Sequence, residues 1–210
     1  LVVSGEGERP LDHIVTHLRA GRPLGSLPLH MGVTNRHAAL GALPGVHQVK
    51  ELDRLPVPDY DAYFDLLGRL APDRRFFPVL PVEASRGCWW QKPLSAKRSR
   101  GCAFCNLNLQ WCGYRYKSAE RMLHEVDLLT QKYRCLDISF TDNALPPAEA
   151  EGFFRSRTKT KTDTRFFAEI RTINKPEQYR LFHKGGLHAV QVGIEAFSHS
   201  LLQRMQKGTS

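Results

Sequence analysis

The chain has 210 residues, 41% hydrophobic and 24% charged, which fits a globular protein of one or two domains. No apolar run approaches the roughly 18 residues that a helical membrane span needs, and the apolar start Leu1–Val3 is too short for a secretory signal. The formal net charge of +9 draws on two Lys/Arg-rich stretches, 92–100 and 155–161, but no nucleic-acid fold motif accompanies them, so they read as basic surface.

Leu1-Val2-Val3 reads as the end of a strand running into the glycine turn Ser4-Gly5-Glu6-Gly7-Glu8. Leu11, Ile14, Val15 and Leu18 then fall on one helical face, and Gly21 with Pro23 beyond it stops that helix. Strand, glycine turn and helix form the repeating unit of a doubly wound α/β sheet. From 25 to 75 the pattern thins into a linker with room for one hairpin. His30, His37 and His47 show no metal-ligand spacing and read as surface residues. Tyr60 to Leu70 predicts a short helix. Because the chain opens in mid-strand and closes on Lys207–Ser210 just after a helical pattern, it reads as a piece cut at both ends.

From Val79 the periods alternate between strand and helix. Val79–Glu83 is the first strand. After it comes CWWQKPLSAKRSRGCAFC, which sets Cys88, Cys102 and Cys105 in a C-x13-C-x2-C pattern. Five cysteines, an odd number, without a paired framework point to a reducing, cytoplasmic setting. Three thiolates on one loop suit an iron–sulfur cluster with one iron left open for a ligand. With Cys112 as a fourth ligand the same residues would make a closed structural zinc site, and spacing alone leaves both readings open. Phe104, Trp89 and Trp90 are placed to shield a cluster from water. Cys135 reads as a small buried hydrophobe.

Ser118 is the expected N-cap of a helix with Glu120 in its first turn and Met122, Val126, Leu129 and Tyr133 along its core face. Leu136, Ile138 and Phe140 alternate with Asp137 and Ser139 in a second strand. A helix from about Pro147 to Arg157 follows, then a third strand, Arg165–Ile170. Pro176 starts a helix that Gly185-Gly186 ends, Ala189–Ile194 is a fourth strand, and Ser198 opens a last helix with Leu201, Leu202 and Met205 inward. Strands separated by helices pair in parallel through right-handed crossovers. Four such units make most of a six-unit partial barrel and too few for a closed eight-unit one. Ligands of β/α barrels bind at the carboxyl ends of the strands, which here carry Glu83 and Ser85, then Thr141, Asp142 and Asn143, then Glu169 and Arg171, then Gln191, Gly193 and Glu195.

The ordered set EASRGCWW, CAFCNLN, YRYKSAERMLHEV, FTDN, FAEIR and VQVGIEAFSHSLLQRMQKG resembles the radical S-adenosylmethionine (SAM) enzymes. Within them it is similar to the cobalamin-binding branch, closest to the group that matures ribosomally made peptides (RiPP maturation) and its C-methyltransferases. The resemblance implies an α/β fold: a truncated (β/α)6-type radical SAM barrel over 76–210, a linker over 25–75, and the Rossmann-like end of a cobalamin-binding domain over 1–24. It implies a [4Fe-4S] cluster on Cys88, Cys102 and Cys105, with SAM on the open iron. Asp142 and Asn143 would meet the SAM amino group. Glu169, Gln191 and Glu195 would meet its ribose or sulfonium, Arg171 its carboxylate, and Gly193 would let the backbone approach. Gly5, Glu6 and Gly7 would wall the nucleotide tail of a cobalamin held mostly outside this chain. The chemistry implied is reductive cleavage of SAM and methylation of a peptide carbon. The partners implied are a peptide substrate and an external one-electron reductant, without membrane or nucleic acid. The gap from Cys88 to Cys102 is longer than in that family, with Lys92, Lys97, Arg98 and Arg100 in the excess. Longer loops are tolerated, since each doubling adds only about 0.6 kcal/mol of closure entropy. Two rivals remain: a tRNA methylthiotransferase-like enzyme, favoured mildly by the basic stretches, and a non-enzymatic zinc module on Cys88, Cys102, Cys105 and Cys112.

Overall fold

Alternating apolar residues in four short segments build the sheet that positions the cysteine loop. The computed structural model describes residues 1–28, 32–34, 47–90, 92–95, 98–107, 113–160, 163–172 and 175–209, with backbone alone for 92–95 and 98–100. His30, His37, Lys97 and Cys112 lie outside the described residues. The chain divides into a first unit built on Leu1–Lys50 and a second built on Glu51–Asn108 and Cys112–Ser210.

In the first unit, β1 (Val2–Val3) leads into α1 (Glu8–Arg19), and β2 (Val33–Thr34) pairs antiparallel with β1. Gly5 makes an isolated bridge with His47, so His47 is half-buried rather than on the surface as its spacing suggested. The apolar face of α1 forms at the expected spacing, yet Leu11, Val15 and Leu18 on it are exposed. Periodicity fixes a face but not what covers it.

In the second unit, α2 (Asp61–Arg69) precedes β3 (Leu80–Val82) and β4 (Ser85–Arg86). Then come β5 (Lys92–Ser95), β6 (Arg98–Arg100) and β7 (Arg115–Tyr116). The remainder alternates: α3 (Ala119–Tyr133), β8 (Asp137–Phe140), α4 (Pro147–Arg157), β9 (Arg165–Arg171), α5 (Pro176–Lys184), β10 (Leu187–Gly193) and α6 (His199–Arg204). The sheet β3-β8-β9-β10 is parallel throughout, and its spatial order follows the sequence. A doubly wound sheet reverses its order at a switch point; this one does not.

Local signals account for the helix ends. The Ser118 hydroxyl accepts from the Arg121 N–H and caps α3, as its position before the apolar stripe predicts. Pro147 and Pro176 stand in the first turns of α4 and α5, where a missing N–H costs nothing. Gly186, at φ +104, turns the chain into β10, with the Thr164 carbonyl 2.5 Å from where a Cβ would stand.

One sheet face packs on the helices. Leu80, Val82, Ile138, Phe140, Phe166, Ala168 and Ile170 meet Met122, Val126, Leu129, Phe153, Phe154 and Phe182 in one core, joined by Cys135. Two details differ from the pattern. Leu136 precedes the ladder of β8 and is exposed. Only Leu202 of the expected inward trio on α6 is buried, with Met205 half-buried and Leu201 exposed. A six-residue helix has room for a single buried contact per turn.

Candidate functional site

The cysteine loop leaves the sheet at β3 and returns through β7, and both ends are tied. Backbone pairing of Ser85 with Tyr116 and of Arg86 with Arg115 draws entry and exit together. At the entry, the buried Asp142 carboxylate accepts from the Ala84 N–H at 2.9 Å and from the Ser85 hydroxyl. Burial pushes the Asp142 carboxyl up to about 6, against the lowering by those two donors. At the exit, Lys117 donates to both oxygens of Glu125 at 3.0 and 2.9 Å, and Arg121 adds a third bond at 3.2 Å. Glu125 and Lys117 are both buried, so this ion cluster fixes the start of α3 against the loop.

Between those anchors the long insert folds back on itself. β5 and β6 form an antiparallel hairpin with Lys92 opposite Arg100 and Pro93 opposite Ser99. The excess length is taken up in that ribbon, and Cys88 and Cys102 flank its base.

The Cys105 N–H bonds to the Cys102 carbonyl at 3.1 Å, which makes the C-x2-C a tight turn. The four described cysteines are thiols. Burial raises the pKa of Cys88; Arg171 opposes this, while Cys102 and Cys105 are close enough to add to it. The three thiols are thus gathered on one loop. Among the described residues, however, no three His, Cys, Asp or Glu side chains close into a set that could hold a metal ion. Phe104, expected to shield this site, is 53% exposed. Trp89 and Trp90, the other residues expected to shield it, are half-buried and edge-to-face at 6.3 Å.

Arg171, at the end of β9, joins the loop to the sheet. Its Nη1 donates to the Cys102 Sγ at 3.8 Å, its Nη2 to the Lys207 carbonyl, and its guanidinium lies over Trp90 at 4.7 Å and Trp89 at 5.5 Å. Both terminal nitrogens therefore have acceptors. Gly193 is the register partner of Arg171 in β10, and Glu195 accepts from the Lys207 ammonium at 2.7 Å just beyond. Glu169 and Gln191 are register partners on adjacent strands, one half-buried and one exposed. Asn143 is exposed beside the buried Asp142. In the first unit, Glu6 accepts from the Val49 N–H at 2.6 Å, Gly5 has φ +105, and Gly7 occupies the N-cap of α1.

The sequence reading brought out the cysteines, Asp142 and Arg171 but missed Lys117, Glu125 and the segment Met205–Gly208. Glu125 carried a usable signal: it lies between Met122 and Leu129 on the stripe that faces the core.

Cysteine thiols are the donor type that an iron–sulfur group takes, although the three do not close into a metal-holding set in this structure. Three thiols share a loop with a cation at Cys102, and the Trp89 Nε1 and Arg171 Nε are buried without acceptors among the described residues. Sulfur or carboxylate acceptors at this spot would satisfy such donors.

No family model matches this chain. It is 28% identical over 217 residues to the uncharacterized methyltransferase PH0819 of Pyrococcus horikoshii, across 99% of this chain and 42% of that protein. It also superposes over 98% of its length on the cobalamin-dependent S-adenosylmethionine radical enzyme OxsB with aqua-cobalamin and S-adenosylmethionine bound, at a TM-score of 0.70 and 18% identity. OxsB with aqua-cobalamin alone gives 0.67. The likeness to OxsB is one of fold. The chain spans 29% of OxsB and 42% of the methyltransferase relative, so less than half of either protein is represented. Among the described residues, no helix is long and apolar enough to cross a membrane.

Proposed function

We propose that this chain is part of a cobalamin-dependent radical SAM enzyme that methylates carbon in a ribosomally made peptide. The carrying observation is the three-cysteine loop at the carboxyl end of the first strand of a parallel sheet whose order follows the sequence. That order is what the arc of a partial β/α barrel would have, and the fold shared with OxsB supports the reading. The methyltransferase relative supports the reaction class.

Cys88, Cys102 and Cys105 would hold the [4Fe-4S] group. When bound, that group with SAM supplies one-electron cleavage and cobalamin supplies a methyl group; such chemistry belongs to the cofactors. The chain's own residues bind and shield. Asp142 holds the loop entry through Ala84 and Ser85, and Lys117 with Glu125 holds its exit. Trp89 and Trp90 exclude water beside Cys102. Glu169 and Gln191 offer neighbouring polar groups for the hydroxyls of a nucleoside, and Asn143 stands beside Asp142 for an amino group. Gly5, Glu6 and Gly7 belong to the cobalamin side of this reading. A cytoplasmic setting, a peptide substrate and an external one-electron donor complete it.

Anaerobic reconstitution with iron and sulfide tests the assignment. The protein should turn brown and bind iron and sulfide in equal amounts. Cys105→Ala should lose that iron and Cys135→Ala should keep it. Full iron content in Cys105→Ala, or a colourless protein carrying one zinc, would sink the proposal.

A further inference from the structure

Three consecutive carbonyls after α6 all accept from the cysteine loop or its arginine. The Met205 carbonyl accepts from the Ala103 N–H at 2.7 Å, the Gln206 carbonyl from the Trp90 indole at 3.2 Å, and the Lys207 carbonyl from Arg171. Gln206 and Gly208 both adopt positive φ, +54 and +73, which aligns the carbonyls. The Trp90 ring fills the space that a side chain at 208 would need, so glycine is required there on two counts. The Lys207 side chain turns the other way, to Glu195. The segment is a clasp across the cysteine loop, and its third bond goes to the guanidinium that faces Cys102.

We infer that Arg171 is a positioning residue for the iron–sulfur group: clamped by the Lys207 carbonyl and the two indoles, it donates to the Cys102 sulfur and raises the reduction potential of a cluster bound there. This rests on the cluster assignment proposed above. One-electron reduction adds negative charge to the group and its thiolates. Hydrogen bonds to ligand sulfurs and a nearby cation stabilise that added charge, and both act more strongly where water is excluded. Arg171 is 6% exposed, so its charge is weakly screened. Its planar face is taken up by the indoles and its Nη2 by a carbonyl, which leaves Nη1 aimed at sulfur.

The test is a potentiometric titration of the anaerobically reconstituted protein, followed by electron paramagnetic resonance of the reduced cluster, with iron counted in each sample. Arg171→Leu should keep wild-type iron and fall in midpoint. At the wild-type midpoint, its reduced-to-oxidised ratio should drop about tenfold, which is about 59 mV for a one-electron couple. Arg171→Lys keeps the charge without the fork and should fall by less. Trp90→Phe removes the indole N–H to Gln206 and narrows the ring over the guanidinium, and should give a smaller shift of the same sign. A wild-type midpoint in iron-replete Arg171→Leu overturns the inference. Should that variant fail to retain iron, unmoved midpoints in Arg171→Lys and Trp90→Phe overturn it instead. Wild-type protein that takes up no iron removes the cluster assignment and this inference together, whereas iron-replete variants with unmoved midpoints remove this inference alone.

Discussion

The aromatic core and the cysteine loop lie in the same unit and are held in opposite ways. In the core, Phe140, Phe153, Phe154, Phe166 and Phe182 pack ring against ring, with centroids 4.9 to 5.8 Å apart and almost no exposure. Nothing further is needed to complete those contacts. In the loop, Cys88 and Cys102 are half-buried and Cys105 is exposed, and the buried Trp89 Nε1 and Arg171 Nε lack acceptors among the described residues. Apolar contact stabilises whether or not a ligand is present; a gathered set of thiols acquires its final geometry only with one. Core substitutions should therefore cost stability, and loop substitutions should cost binding.

The largest effect expected is in the core. Phe153 touches Phe140, Phe154 and Phe166, so Phe153→Ala should leave a cavity and lose about 3–5 kcal/mol in urea unfolding. A loss under about 1 kcal/mol would mean the core collapses around the gap. Glu125→Ala comes next. It leaves the buried Lys117 ammonium without its partner, and about 3 kcal/mol should be lost in the same assay. The exposed pair Arg54–Glu51 serves as the control, since surface pairs contribute about 0–1 kcal/mol.

These regions were also unequally legible in the sequence. The core segments announce themselves because local rules act on neighbours. Ser118 before an apolar stripe gave the start of α3, Pro147 that of α4, and Pro176 with Gly185 both ends of α5. Alternation gave the strands, although β9 runs one residue further than expected, through Arg171. The loop depends on residues far apart in the chain. Lys117 reads as a surface lysine until Glu125 is seen beneath it, and the carbonyls of Met205, Gln206 and Lys207 carry no side-chain signature at all. The hairpin 92–100 lacks both the β-branched residues and the Asn-Gly turn that usually mark one, so only the backbone register reveals it.

Asp142 stands at the boundary of the two regions and gives a pH test. Its carboxyl is pushed up to about 6 by burial, above its unfolded value. The folded state thus holds the proton more tightly. The stability linked to this group is complete below the unfolded value and is lost as pH rises through about 6, by at most about 1.4 kcal/mol per pH unit. Asp142→Asn should flatten unfolding free energy between roughly pH 4 and 6 relative to wild type. An unchanged slope in the variant would assign the dependence to other groups.

The smallest effect is the sharpest test of the contrast. Cys105 is exposed, so Cys105→Ala in metal-free protein should change unfolding free energy by less than about 0.5 kcal/mol. Adding iron and sulfide anaerobically should then separate the two proteins. A ligand that binds only the folded state stabilises by RT ln(1 + [L]/Kd), about 2.7 kcal/mol at a hundredfold excess over Kd. Wild type should gain on that scale, and Cys105→Ala should gain little. If the metal-free variant is already destabilised as Phe153→Ala is, the loop is a packed structural element like the core, and the division drawn between the two regions fails.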